Sequence, residues 1–239
     1  MGSLIRSTAE AARDEAGAPV FEVIAQIGFD LSAADSAPAA DVLVDFSNVA
    51  TLPAVASYVR RTGAALVSGT TGYDDAQTAE LRSLADVAAV LHSGNYSLGV
   101  AVLRHATALA ARELAGFDVE IVETHHNQKV DAPSGTADML LDAVAGAEEA
   151  AGRGEYHPVF GRHGMVGARD PREVGIHSLR GGTIAGVHTV SFFGPDEEVS
   201  LTHRATSRQI FVNGALAAVR RMAGRPAGWY EFDEVMFGA

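Results

Sequence analysis

The chain has 239 residues, 47% of them hydrophobic and 20% charged, and carries a formal net charge of -12 at pH 7. That length holds one or two domains with ample core, and the acidic balance argues against general nucleic-acid or anionic-membrane binding while leaving room for a local positive pocket. There is no cysteine, which excludes disulfides, thiolate catalysis and thiolate metal sites.

No run approaches the roughly 20 apolar residues of a membrane span. The first residues, Met1-Gly2-Ser3-Leu4-Ile5-Arg6, lack a signal-peptide core. The expectation is a soluble, cytoplasmic protein.

In chain order, residues 3–16 read as a helix with Leu4, Ile5 and Ala9 on one side, stopped by Gly17 and Pro19. Residues 21–27 read as a strand, 32–40 as a small-residue loop, and 42–46 as a short apolar strand of the kind buried in a parallel sheet. A helix over 52–61 follows, with Pro53 in its first turn, then a strand at 64–68, the loop Gly69-Thr70-Thr71-Gly72, a helix over 74–85 and a strand over 87–92. Strands alternating with helices at these spacings predict βαβ units and a parallel sheet. Ligands bind such sheets at the carboxyl ends of the strands, so the loops after Phe46, Ser68 and His92 form a candidate cofactor wall.

An Ala-rich helix spans 98–114, and the pattern then changes. Residues 119–123 read as a half-buried strand, with Val119 and Ile121 set against Glu120 and Glu123. A helix over 137–150, a long Gly/Arg/His loop over 152–173, and strands near 174–178, 186–193 and 198–203 predict a second domain with an antiparallel or mixed sheet. A last helix spans 209–223, and Trp229, Tyr230, Phe232 and Phe237 are expected to pack rather than dangle.

The chemistry concentrates between residues 123 and 137. His125, His126 and Lys129 place three ionisable groups within five residues, ahead of Pro133-Ser134-Gly135-Thr136. An imidazole near its ordinary pKa of about 6.5 exchanges protons near neutral pH, and a lysine brings charge to an anion. Ser134 reads as a helix N-cap, and the amides behind it can hold a carboxylate or phosphate. Adjacent strand residues face opposite ways, so a metal shared by the two histidines is not expected. Arg180, Arg204 and Arg208 could serve a dianion or simply pair on the surface, and His157, His163, His177, His188 and His203 read as structural.

The run Glu123-Thr124-His125-His126-Asn127-Gln128-Lys129-Val130-Asp131-Ala132-Pro133-Ser134-Gly135-Thr136-Ala137 resembles the E-x-H-H-x-x-K-x-D-A-P-S-G-T-A motif of the 4-hydroxy-tetrahydrodipicolinate reductase (dihydrodipicolinate reductase) family. Val44-Asp45-Phe46-Ser47, Ser68 to Gly72, Asn95 to Val100, Gly175 to Gly182 and Ser207 to Leu216 resemble it as well, so the likeness covers essentially the whole chain. The resemblance implies a reductase of lysine and diaminopimelate biosynthesis that uses NADH or NADPH on a small dicarboxylate.

It also implies roles. His125 and Lys129 would be catalytic; His126, Ser134, Gly135, Thr136 and Arg208 would bind substrate; Met1, Gly69, Thr70, Thr71, Ser93, Gly94, Asn95 and Tyr96 would bind the cofactor. The implied fold is α/β: a Rossmann-like dinucleotide-binding domain over 1–96 and 209–239, and an α+β substrate-binding and tetramerisation domain with a mixed sheet over 97–208. A homotetramer is implied with it.

Against the family pattern, the first strand and most of the Gly-rich turn are missing ahead of Met1-Gly2. The expectation is that DNA upstream encodes, in frame, a short apolar strand and a Gly-rich turn. The acid expected at the ribose is not evident: Gly28 stands near its place and Asp30 two residues later, which leaves NADH and NADPH open. Val187 stands where the family more often has an acid. A non-catalytic relative that keeps the dicarboxylate-binding domain without a working dinucleotide site is the alternative expectation.

Overall fold

The computed structural model describes residues 1–28 and 31–238. The chain forms two compact units, Met1–Ser97 with Gln209–Ala239, and Leu98–Arg208. No helix among the described residues is long and apolar enough to cross a membrane.

The first unit is built on a parallel sheet of short strands: β1 (Val42–Asp45), β2 (Ala65–Ser68), β3 (Ala89–His92) and β9 (Gly228–Tyr230), in the order β1-β2-β3-β9. β2 is buried along its whole length, as an apolar strand with a neighbour on each side should be. Helix α3 (Leu52–Thr62) packs Leu52, Val55 and Val59 against Leu66, Leu81, Leu84 and Val90. Each such side chain removed from water contributes roughly 1.5 to 3 kcal/mol. Helix α4 (Asp75–Ser83) starts on a capping box, with Asp74 accepting from Gln77 N–H and the Gln77 side chain reaching back. Helix α7 (Gln209–Met222) packs on β1, β2 and helix α1 (Gly2–Ala11), and helix α8 (Phe232–Phe237) closes the unit against α7.

Three readings of the sequence need correction here. The first helix ends at Ala11 rather than at 16, where the chain turns and Arg13 bridges Pro19. Residues 32–40 contain one helical turn, α2 (Ala33–Ser36). Residues 21–28 form no strand: their side chains are exposed or half-buried, with Val23 and Ile24 near 40% exposed. They line a cavity of about 330 Å³ together with Ile5, Ala9, Val44, Phe46, Leu216 and Val219. The outer edge of β1 pairs with no strand among the described residues. The expectation attached to Asp30 lies outside the described residues.

The second unit has longer strands. β4 (Asp118–His125) runs parallel to β6 (Glu173–Arg180) and antiparallel to β7 (Gly186–Phe193), which pairs antiparallel with β8 (Glu198–Ala205). β5 (His157–Phe160), inside the stretch read as loop, adds a parallel edge to give the mixed order β5-β6-β4-β7-β8. Helices α5 (Leu98–Glu113) and α6 (Gly135–Ala150) pack against each other and cover one face, burying Val119, Ile121, Leu140, Val144, Val190 and Phe192.

Candidate functional site

Strand periodicity decides the geometry around His125. Val119, Ile121, Glu123 and His125 share one face of β4. Glu123 is therefore not on the polar side where the sequence reading set it: its side chain is fully buried. A buried carboxylate needs partners, and it has them. Arg180, from β6, donates to it through both terminal nitrogens at 3.0 and 2.7 Å, and His125 Nδ1 lies 2.5 Å away. Burial alone would raise the Glu123 carboxyl, but the bonds from Arg180, His125 and Ser178 outweigh it and hold it below the ordinary carboxylate range. Glu123 is thus ionised, and Nδ1–H of His125 is the donor in their contact. The other nitrogen, Nε2, is left to exchange a proton.

β7 shapes the space at Nε2. Gly186 stands opposite His125, and a Cβ on it would come within 3.1 Å of Nε2. Next on the same face comes His188, directly across from Glu123. It is buried, its ring meets that of His125 edge-on at 5.1 Å and 72°, and its Nε2 lies 3.0 Å from Ser134 Oγ. Burial first, and then the neighbouring His125, lower His188 to about 4, so it is uncharged at neutral pH.

The turn from 126 to 134 is tied down by backbone. Gly181 N–H donates to His125 O at 2.9 Å, Asn127 N–H to Gly182 O at 3.2 Å, and Arg180 to Asp131 O at 2.7 Å. Arg180 is thereby spent on the protein itself rather than on a dianion. Lys129 sits on this turn with its ammonium 2.7 and 2.8 Å from the two Asp131 oxygens. Ser134 caps α6 as the sequence suggested, accepting from Ala137 N–H. Its side chain is buried, while Gly135 and Thr136 lead the helix with their amides in the first turn, where a carboxylate is favoured. His126 Nε2 lies 3.5 Å from Arg208. His125, His126, Lys129, Ser134, Gly135, Thr136 and Arg208 thus all belong to the second unit.

By spacing alone, Glu123, His125 and His188 could hold a metal ion. Both oxygens of Glu123, however, already accept from the Arg180 guanidinium, and one also meets His125 Nδ1. This donor set fits an oriented acid–base better than a cation.

In the first unit, the loops after β1, β2 and β3 meet at the carboxyl ends of their strands. Asp45 is buried and accepts from Ser47, from Thr70 Oγ1 at 2.8 Å and from Ser68 at 3.5 Å. Ser47 N–H donates to Thr70 Oγ1 at 3.0 Å. Tyr96 fills the interior between Phe46 and Phe232 and donates to Ser68 O at 2.7 Å. Burial, then the Asp45 charge, pushes the Tyr96 phenol well above its usual value, which keeps that donor protonated. Thr70 and Tyr96 therefore turn their side chains inward and shape the wall, whereas Thr71 and Gly94 are exposed and adjacent. The Ser93 hydroxyl donates to Asn95 O and accepts from Asn95 N–H, and the Asn95 side chain accepts from Ser97 N–H. Met1 caps α1, its carbonyl accepting from Leu4 and Ile5 N–H. A wall of Gly, Thr and backbone at these strand ends fits a nicotinamide dinucleotide.

Glu123, His188, Gly186 and Asp45 were missed as site residues, and Arg180, weighed for a dianion or a surface pair, pairs instead with buried Glu123. Parity could have found two of them: Glu123 is in step with Val119 and Ile121, and His188 with Val190 and Phe192.

Known proteins match the chain along most of its length. Residues 4–96 match the family "Dihydrodipicolinate reductase, N-terminus" and residues 99–236 match "Dihydrodipicolinate reductase, C-terminus". The 4-hydroxy-tetrahydrodipicolinate reductase of Brachyspira hyodysenteriae is 38% identical over 82% of this chain and 83% of its own. That of Myxococcus xanthus is 42% identical over 86% and 75%. A dipicolinate-bound dihydrodipicolinate reductase from Paenisporosarcina sp. TG-14 superposes with a TM-score of 0.64 at 26% identity, covering 82% of this chain and 74% of that one.

Proposed function

The chain belongs to the dihydrodipicolinate reductase family, nicotinamide-dependent oxidoreductases, and from that premise we propose that it reduces 4-hydroxy-tetrahydrodipicolinate to tetrahydrodipicolinate in lysine and diaminopimelate biosynthesis. One hydride and one proton enter and one water leaves. The observation that carries this reading is His125 held at Nδ1 by ionised Glu123, on the same short turn as Lys129 and the start of α6.

NADH or NADPH, when bound, supplies the hydride. Thr71, Gly94 and the backbone of 69–72 and 93–95 would hold it, with Asp45, Thr70 and Tyr96 fixing the wall from within. The protein's own task is protons and position. Glu123 fixes the His125 ring through Nδ1, so Nε2 can deliver a proton beside Gly186. Lys129 is the second proton donor. The amides of Gly135 and Thr136 take one carboxylate of the ring, and His126 with Arg208 takes the other. Dipicolinate, the ligand of the Paenisporosarcina relative, is a planar dicarboxylate of this kind.

Gly28, near the ribose-reading position, offers no side chain of its own to select between nucleotides. Both should support turnover, with kcat/KM values within roughly tenfold of each other. The resemblance also carries a homotetramer, which sedimentation would read as four times the 24.9 kDa chain mass.

The test is loss of absorbance at 340 nm with freshly generated substrate and either nucleotide. His125→Ala should lower kcat roughly 10²- to 10⁴-fold, the usual worth of a general acid, with nucleotide affinity unchanged. Absence of turnover with both nucleotides would refute the reading, and unchanged kcat in His125→Ala would refute the role given to that residue.

A further inference from the structure

We propose that His188 is a positioning residue: it braces the His125 ring edge-on and accepts the Ser134 hydroxyl, so one side chain sets both the proton-transfer group and the helix start that binds a carboxylate. The inference rests on the reaction proposed above and adds to it a histidine that the chain's motif does not contain. Its support is geometric. The ring of His188 lies across the sheet from Glu123, 5.1 Å from the His125 ring, and against Ser134 at 3.0 Å.

Hydrogen counting selects the tautomer. Ser134 Oγ already accepts from Ala137 N–H. Its own hydrogen is then best given to His188 Nε2, which puts the ring hydrogen on Nδ1. His188 Nδ1 has no hydrogen-bond partner among the described residues. In the other tautomer, Nε2–H would point at Ser134 and leave the serine hydrogen unused as well, two unsatisfied groups in place of one. The titratable groups acting on His188 are Glu123, His125, His203 and Lys129. Of these only Glu123 favours a proton on His188; it is engaged by Arg180 and His125, and burial outweighs it.

The two contacts separate in kinetics. His188→Phe keeps a ring beside His125 but cannot accept from Ser134. His188→Gln can accept from Ser134 but offers no ring. A side-chain hydrogen bond is worth about 0.5 to 1.5 kcal/mol, or up to roughly tenfold. His188→Phe should therefore raise KM for the dicarboxylate, and Kd for dipicolinate by calorimetry, several-fold with kcat near that of the unaltered enzyme. His188→Gln should lower kcat by roughly tenfold with KM near the unaltered value. Both variants within twofold in kcat and KM, or both losing kcat and KM alike, would overturn the proposal.

Should the variants fail to fold, long-range ¹H–¹⁵N correlation on the unaltered protein decides. A His188 protonated on Nδ1 alone from pH 8 to pH 5 supports the assignment. An Nε2–H tautomer, or titration near 6.5, overturns it. Turnover of the unaltered enzyme tests the proposed reaction separately, and the imidazole spectra need no turnover.

Discussion

Burial of His188 makes the fold sensitive to acid, and the sign can be worked out. Burial and His125 lower this imidazole from 6.5 to about 4. Between those values the unfolded chain binds a proton that the folded chain refuses, so stability falls as pH drops through that window. The full loss is on the order of 3 kcal/mol. His203, lowered by its own burial, acts in the same direction. Glu123 adds a later loss: its lowered carboxyl stabilises the fold above the ordinary carboxylate pKa and ceases to as pH falls below it. Urea midpoints should therefore drop between pH 7.5 and 4.5, and His188→Gln should flatten that slope. Equal midpoints at the two pH values would contradict a neutral buried His188. The residues responsible were only half legible in the sequence. The motif exposes His125, Lys129 and Ser134, because a turn of polar groups after an apolar strand stands out. Glu123 and His188 hide inside strands, where a charged or polar letter reads as surface unless its parity with Val119 or Phe192 is followed.

Elements were legible where they are buried and regular, and lost where they are short or exposed. The βαβ succession through β1, α3, β2, α4 and β3 follows from apolar runs and helix caps. β5 escaped because it is the four-residue edge His-Pro-Val-Phe, half-buried at most, with no alternation to betray it. β9 is three residues long. Residues 21–27 have strand composition, but pairing, which composition does not encode, is absent. Helix glycines show the same dependence on neighbours. Gly146, inside α6, has open space where a methyl group would stand, with nothing within 4 Å, so Gly146→Ala should stabilise by about 0.5 to 1 kcal/mol. Gly214, inside α7, lies so close to the chain after β3 that a Cβ would sit 1.7 Å from Tyr96 O. Gly214→Ala should reverse the sign, cost about 1 to 3 kcal/mol, and weaken nucleotide binding by shifting the 93–97 loop. Thermal unfolding of both variants checks the pair, and stabilisation by both would remove the close approach from the account.

Across the whole molecule the two units are unequally built. The first has strands of three or four residues, an outer β1 edge unpaired among the described residues, and a cavity of about 330 Å³ alongside. The second has four strands of eight residues in continuous register. Local opening follows the number of buried contacts and protected backbone bonds, so the first unit should open first. Native-state hydrogen exchange should find amides of β2 and β3 exchanging faster than those of β4, β6 and β7. Each unit also has its own core, which allows ligands to act on them separately. Nucleotide at a hundred times its Kd should stabilise the first unit by about 2.7 kcal/mol, and dipicolinate at the same ratio the second unit by as much. Protection gained in β2 and β3 with nucleotide alone, and in β4 and α6 with dipicolinate alone, is the expected outcome. Uniform protection of both units by either ligand would mean that they open as one, and the unequal sheets would then have no consequence for stability.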